Sequence, residues 1–363
     1  MNNYHKEYLF SLKCKWPVAM TRHFFPLKVT LVLAMLTMGH PRLMAQDADS
    51  TTLRSTFGID YTGEVQSDFK SFRQANLLQL SADIPLSRKL SFQISSISAL
   101  ATSRELDITD VQGYSNIDIH DAHVPFALAV AGFTWEFHEH HTIFAGIRRT
   151  DEDYFCSDVL ALFTNSSYGI FPTVSSNFPI GTYPDAALGL HYVYDHKRLR
   201  LQASLYNGVG NHHFSGSENV FRFCPNSDGT FAVAQAEYRY GDSHYYLGGS
   251  AHNEPDGRAA LWGYVEQSLS PRLTLLAAYS RAFGIENICR DFCALGAKYS
   301  LRRADFGIVT DYTRVDNVDE WATELLCNFQ LTSYLAIKPA LQIITTKSDT
   351  KCVALLRWTI SGW

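Results

Sequence analysis

Apolar and polar residues alternate with a period of two along most of the chain. From Asn76 to Ile84, Leu78, Leu80, Ala82 and Ile84 fall on one face, and Gln79, Ser81 and Asp83 on the other. Leu335 to Ile343 repeats this, with Leu335, Ile337, Leu341 and Ile343 opposite Lys338 and Gln342. In Phe231 to Tyr240 the pattern is diluted by alanine, and Phe231 and Val233 give way to Gln235, Glu237 and Arg239. Segments of about ten residues with this period suit strands that face lipid on one side and water on the other. The predicted strands are 53–64, 76–84, 89–101, 124–137, 142–149, 185–194, 199–207, 231–240, 244–252, 259–269, 273–282, 292–300, 304–312, 321–331, 335–345 and 351–361.

The links between these segments alternate in length. Short turns fall at Pro85 to Arg88, His138 to His141, Asp195 to Arg198, Gly241 to Ser243, Ser270 to Arg272, Leu301 to Arg303 and Thr332 to Tyr334. Longer polar links span 65–75, 102–123, 150–184, 208–230, 253–258, 283–291, 313–320 and 346–350. A soluble sandwich also strings strands together at this spacing, but nothing in it requires short and long links to alternate. The pattern predicts an all-β fold: a transmembrane antiparallel up-and-down β-barrel of about 16 strands, with both termini on the short-turn side.

Composition supports this reading. Phe (23) and Tyr (19) are abundant and Met (5) is sparse, as suits pleated strands. Trp135, Phe137, Tyr192, Tyr194, Tyr238, Tyr240, Tyr299, Tyr312, Trp321 and Tyr334 stand near strand ends, where interfacial girdles sit. Beyond Ala45 no run of eighteen apolar residues exists, so strands must do any crossing.

Arg22 and Lys28 precede an apolar run, Val29 to Met38, with a cleavage site expected after Ala45. Residues 1–45 are thus expected to be a cleaved signal peptide, with an overlong start before Met20, and 46–363 the barrel domain. Removing six basic groups and one acid takes the formal charge from −5 to −10. That balance argues against a nucleic-acid partner. Lipid of the outer membrane of a Gram-negative bacterium is the expected surrounding.

Three stretches carry a family likeness, in order along the chain. Ala145-Gly146-Ile147-Arg148-Arg149-Thr150-Asp151-Glu152-Asp153-Tyr154-Phe155 is followed by Leu162 to Gly169. Tyr183 to Leu190 then leads to Gln202-Ala203-Ser204-Leu205-Tyr206-Asn207-Gly208. Glu324, Phe329-Gln330-Leu331-Thr332 and Lys338-Pro339-Ala340-Leu341-Gln342 close the series. From about Phe133 onward the chain resembles the carbohydrate-selective porin (OprB) family. The resemblance implies a sixteen-stranded barrel passing small carbohydrates, or other small polar solutes, down their gradient, as monomer or homo-oligomer. The chain departs from the family in its short length, its eroded N-terminal third and a final Trp363.

Such a channel performs no covalent step; its selectivity comes from pore radius, charges and hydrogen-bonding groups on the wall. The candidate constriction is Arg148 and Arg149 with Asp151, Glu152 and Asp153, at the start of the long link 150–184. If that link enters the lumen, apposed guanidinium and carboxylate groups line the pore; they also suit mutual pairing that pins the loop. By alternation, Asp83, Gln93, Gln202, Gln235, Glu237, Arg239, Glu324, Gln330, Lys338 and Gln342 are expected to line the pore. Trp262 and Tyr264 fit an aromatic sugar track or, preferably, the lipid girdle.

The run His138-Glu139-His140-His141 sits in a short turn and reads as solvated rather than metal-binding. Six cysteines follow residue 45, and Cys289 with Cys293 is the pair considered for a disulfide. No phosphate-binding Gly-rich loop, zinc-type cysteine spacing or Gly-x-Ser-x-Gly elbow appears after residue 45, so neither a cofactor nor an enzymatic role is expected.

Overall fold

The computed structural model describes residues 53–363 apart from 103–105, 107, 109–110, 120–122, 217, 254–257, 285–288, 316 and 363. The expected signal peptide and Trp363 lie outside the described residues.

Eighteen strands follow in chain order. The first seven are β1 (Thr56–Ser67), β2 (Phe72–Pro85), β3 (Leu90–Ala101), β4 (His123–His138), β5 (His141–Arg148), β6 (Ala187–His196) and β7 (Leu199–Asn207). A short hairpin, β8 (Phe214–Ser215) and β9 (Glu218–Asn219), stands apart from the main sheet. The series resumes with β10 (Thr230–Tyr240), β11 (Ser243–His252), β12 (Arg258–Ser270), β13 (Leu273–Phe283) and β14 (Cys289–Leu301). It ends with β15 (Ala304–Val315), β16 (Val318–Gln330), β17 (Leu335–Thr346) and β18 (Thr350–Gly362). Omitting the hairpin, sixteen antiparallel strands close into a barrel, and β18 returns to β1 through pairs from Ile59↔Gly362 to Ser67↔Ala354. Closure leaves no unpaired sheet edge, which is what a strand-built membrane span requires. Among the described residues no helix is long and apolar enough to cross a membrane.

Two long links of the sequence reading shrink to turns: 65–75 becomes 68–71, and 313–320 becomes 316–317. The polar residues there are strand residues whose inner face is packed. Gln66, Arg73 and Glu320 are buried and hydrogen-bonded inside the barrel.

The outer face is apolar. Leu247, Leu261, Leu295, Ile308, Leu325 and Leu356 project from it, each about half to two-thirds exposed. Such a belt is stable where that solvent is hydrocarbon. Trp135, Tyr238, Tyr240, Tyr299 and Tyr334 project at the short-turn end, and Trp321 packs against Tyr312 near the other, ring centres 5.0 Å apart and tilted. These are the two aromatic girdles.

Candidate functional site

The link between β5 and β6 does not stay outside. It turns inward after Arg148 and builds an apolar core within the lumen. Phe155, Leu160, Phe163, Tyr168, Phe171, Val174 and Phe178 are buried there against Phe231, Trp262, Leu276, Phe292, Val309, Leu326 and Val353 of the wall. Close approach is made possible by small wall residues. A Cβ on Gly307 would lie 2.9 Å from Leu162 and 3.0 Å from Phe163, and one on Gly248 would lie 2.4 Å from the Trp262 ring lying across it.

Polar wall residues then fasten the loop backbone. The Glu324 carboxylate accepts from the Thr164 amide at 2.9 Å, the Thr164 hydroxyl at 2.7 Å and the Asn165 amide at 3.2 Å. Gln342 Nε2 donates to Thr164 Oγ1 at 2.9 Å and to the Tyr114 carbonyl at 2.7 Å. Lys338 Nζ donates to the Leu162 carbonyl at 2.7 Å. Asp311 accepts from Tyr168 at 2.5 Å and from Gln112 at 2.8 Å, joining the described part of the β3–β4 link to the same wall. Burial holds the Tyr154, Tyr168 and Tyr183 phenols well above their usual range, so all three remain neutral donors.

The five charged residues of the candidate constriction meet at the base of this loop. Arg148 grips Asp153 through two bonds of 2.5 and 2.6 Å. Arg149 pairs with Glu152 and lies 3.6 Å from Asp151, whose carboxylate also accepts the Tyr183 amide at 3.1 Å. Gln202 Nε2 donates to the Asp153 carbonyl at 2.6 Å.

Two cavities open beside them, toward the short-turn end. One, of about 690 Å³, is bordered by Glu152, Asp153, Gln202, Gln235, Glu237 and Arg239, among others. The other, of about 300 Å³, is bordered by Asp83, Gln93, Arg148 and Glu152. Glu152 borders both, so the charged cluster stands where the two spaces adjoin.

The expected lining residues therefore divide. Asp83, Gln93, Gln202, Gln235, Glu237 and Arg239 border the two cavities. Glu324, Lys338 and Gln342 point inward but are covered by the loop they hold. Gln330 sits at the end of β16 and donates to the Thr332 carbonyl of the following turn. Trp262 and Tyr264 do not belong to a lipid girdle; Trp262 borders neither cavity, whereas Tyr264 stacks on Tyr246 at 4.1 Å at the border of the larger one. They face inward and are buried under Phe155, and Trp262 Nε1 donates to Gln235 at 3.0 Å.

Cys289 and Cys293 are both free thiols. An irregularity in the β14–β15 register between Cys289 and Phe292 sets Cys289 inside, buried against Thr313, while Cys293 projects outward. Residues on opposite faces of one strand cannot reach disulfide geometry. The His138–His141 segment forms the β4–β5 turn, where His141 Nδ1 lies 2.8 Å from the Tyr192 hydroxyl.

A closed sixteen-stranded barrel with a long external loop folded into its lumen has the porin architecture. No family model matches the chain, and no curated protein matches it. Solved structures do. The high-pH structure of Pseudomonas putida OprB superimposes with a TM-score of 0.72 at 15% identity, over 85% of this chain and 94% of that one. A loop-deletion mutant of OmpT from Vibrio cholerae gives 0.59 at 12% identity, over 85% and 99%. The anion-selective porin from Comamonas acidovorans gives 0.58 at 9% identity, over 86% and 100%. At these identities the likeness is one of fold.

Proposed function

We propose that this chain is an outer-membrane porin in which the β5–β6 loop narrows the lumen, and that small carbohydrates are its preferred solutes. One observation carries the reading: the loop base and the two adjoining cavities present mixed, fixed charges and amides to open space. Glu152, Asp153, Gln202, Gln235, Glu237 and Arg239 offer both acceptors and donors there. Sugar hydroxyls both donate and accept, so such a wall replaces their hydration with little net loss. The fold likeness to P. putida OprB agrees with this choice.

Liposome swelling with the purified protein tests it. Faster entry of monosaccharides than of amino acids of similar size is expected; entry ordered by size alone would refute the sugar preference.

A second reading has its own support. The apolar core between the loop and β10–β18 fills a whole sector of the lumen. A barrel built this way conducts poorly until the loop shifts, and serves as a gated channel or a closed platform. Planar-bilayer recordings separate the two: steady openings favour the porin, and silence favours the closed barrel.

A further inference from the structure

The link between β7 and β10 takes the opposite course to the β5–β6 loop: it lies against the outside of the barrel. Leu128, Ile147 and Leu188 point outward from β4, β5 and β6, and Val220 of this link is buried against them. Phe214 of the same link stacks on outward-facing Phe126 at 5.7 Å. The contact lies at membrane level. Leu128 is seven residues above Trp135 of the lower girdle and Leu188 four above Tyr192. At about 3.3 Å per residue and a tilt of about 40°, these are roughly 18 and 10 Å, within an apolar band about 25 Å tall.

Irregular backbone at that depth is tolerated only if its polar groups are satisfied, and the amides of Val220, Phe221, Arg222 and Cys224 all find partners within the protein. The Val220 amide donates to the His213 carbonyl at 2.9 Å, and the Arg222 amide to the Asn219 carbonyl at 2.8 Å. The Phe221 amide donates to Asn219 Oδ1 and the Cys224 amide to Asn207 Oδ1, both at 2.9 Å. Asn211 and Ala186 exchange backbone bonds of 2.9 and 3.0 Å. Arg222 is neutralised by Asp228 through two bonds of 2.8 and 2.9 Å. The link shows two kinds of surface outward: Phe221 is 56% and Phe223 55% exposed on the arm that follows Val220, whereas His213 and Glu218, 3.7 Å apart, are exposed on the β8–β9 hairpin.

We propose that the arm 219–223 of this link forms an external flap immersed in the acyl chains of the surrounding lipid, with Phe221 and Phe223 as its anchors. The flap covers the wall where β5 and β6 are short, at eight and ten residues.

The test replaces Phe221, and separately Phe223, with the photo-crosslinker benzoylphenylalanine. Each protein is irradiated in vesicles of phosphatidylethanolamine and phosphatidylglycerol. Leu261 on the outer belt and Ser348 in the β17–β18 turn carry the same group as positive and negative controls. Phospholipid adducts by mass spectrometry at Phe221 and Phe223, in yield comparable to Leu261, are expected. Covalent dimers in place of lipid adducts would overturn the proposal in favour of a second copy on this face. No adduct, as at Ser348, would overturn it in favour of water. A Leu261 control without lipid adduct would instead contradict the membrane-spanning reading of the whole barrel.

Discussion

Replacing Glu324 with alanine isolates the strongest single clamp on the lumen loop. The carboxylate is buried and holds two backbone amides and one hydroxyl of Thr164 and Asn165, about 160 residues earlier in the chain. Its loss leaves those donors in a dry interior, at a cost of about 1–3 kcal/mol each. The Gln342 bond to Thr164 Oγ1 survives, but there the hydroxyl oxygen accepts, so its proton still loses its partner. A net weakening of about 3 kcal/mol follows, or roughly a hundredfold change in the ratio of clamped to released segment. The ladders joining β15, β16 and β17 contain none of these bonds, so the barrel itself should form normally. Hydrogen exchange of the peptide spanning 160–168, in the vesicle-embedded protein, reads the clamp directly. Exchange of the Thr164 and Asn165 amides should accelerate by about two orders of magnitude, accompanied by higher or noisier conductance in planar bilayers. A folded E324A barrel with unchanged exchange would refute the clamp. Faster exchange with unchanged conductance would show that this segment does not limit flow.

Three further outcomes are expected. Arg148→Ala strips the partner from a nearly buried Asp153 and should shift ion selectivity, measured as reversal potential in a salt gradient, while leaving heat-modifiable gel mobility intact; Arg148→Lys restores the charge without the two-pronged grip and should fall between. Trp262→Ala empties the space beneath Phe155 and removes the donor to Gln235, at a cost on the order of 3–5 kcal/mol, visible as a lower unfolding temperature on the same gel assay. Asp68 is held down to about 2 by the Ser71 and Lys70 amides, against an ordinary 3.8. Because the folded value is the depressed one, the contribution of this turn is complete above pH 3.8 and disappears as pH falls through about 2; solvent protection of the Ser71 amide, followed by acid titration in NMR, should track that window.

The strands were legible because a lipid-facing wall imposes strict alternation, as at Leu78, Leu80 and Ala82. Their number was legible from links that alternate in length. The ends of β1, β2, β15 and β16 were not, because Gln66, Arg73 and Glu320 look like loop residues until something inside the barrel is seen to bind them. Parity alone placed Glu324, Lys338 and Gln342 on the inner face. It could not distinguish a wall bathed in water from a wall covered by residues 160–165, since that contact spans most of the chain. Trp262 shows the same limit: an aromatic inside a barrel reads as a track or a misplaced girdle residue until Phe155 is found lying on it. Cys289 and Cys293 failed for a local reason: β14 begins three residues earlier than alternation suggested, so both lie on one extended strand, about 13 Å apart, beyond disulfide reach.

The dry sector between the β5–β6 loop and β10–β18 has a consequence for how the chain matures. Strands of that sector are apolar on both faces, at Ala260 and Trp262 within and Leu261 without, so the chain carries a nucleus that needs no lipid to collapse. Its first half supplies the loop and its second half the wall. The contact therefore waits on late strands, and topology of this kind folds slowly. Arrival of β18 beside β1 and docking of the loop are separate events, one sealing the cylinder and the other filling it. A chain caught between them would already span the bilayer while still admitting far larger molecules than the finished protein.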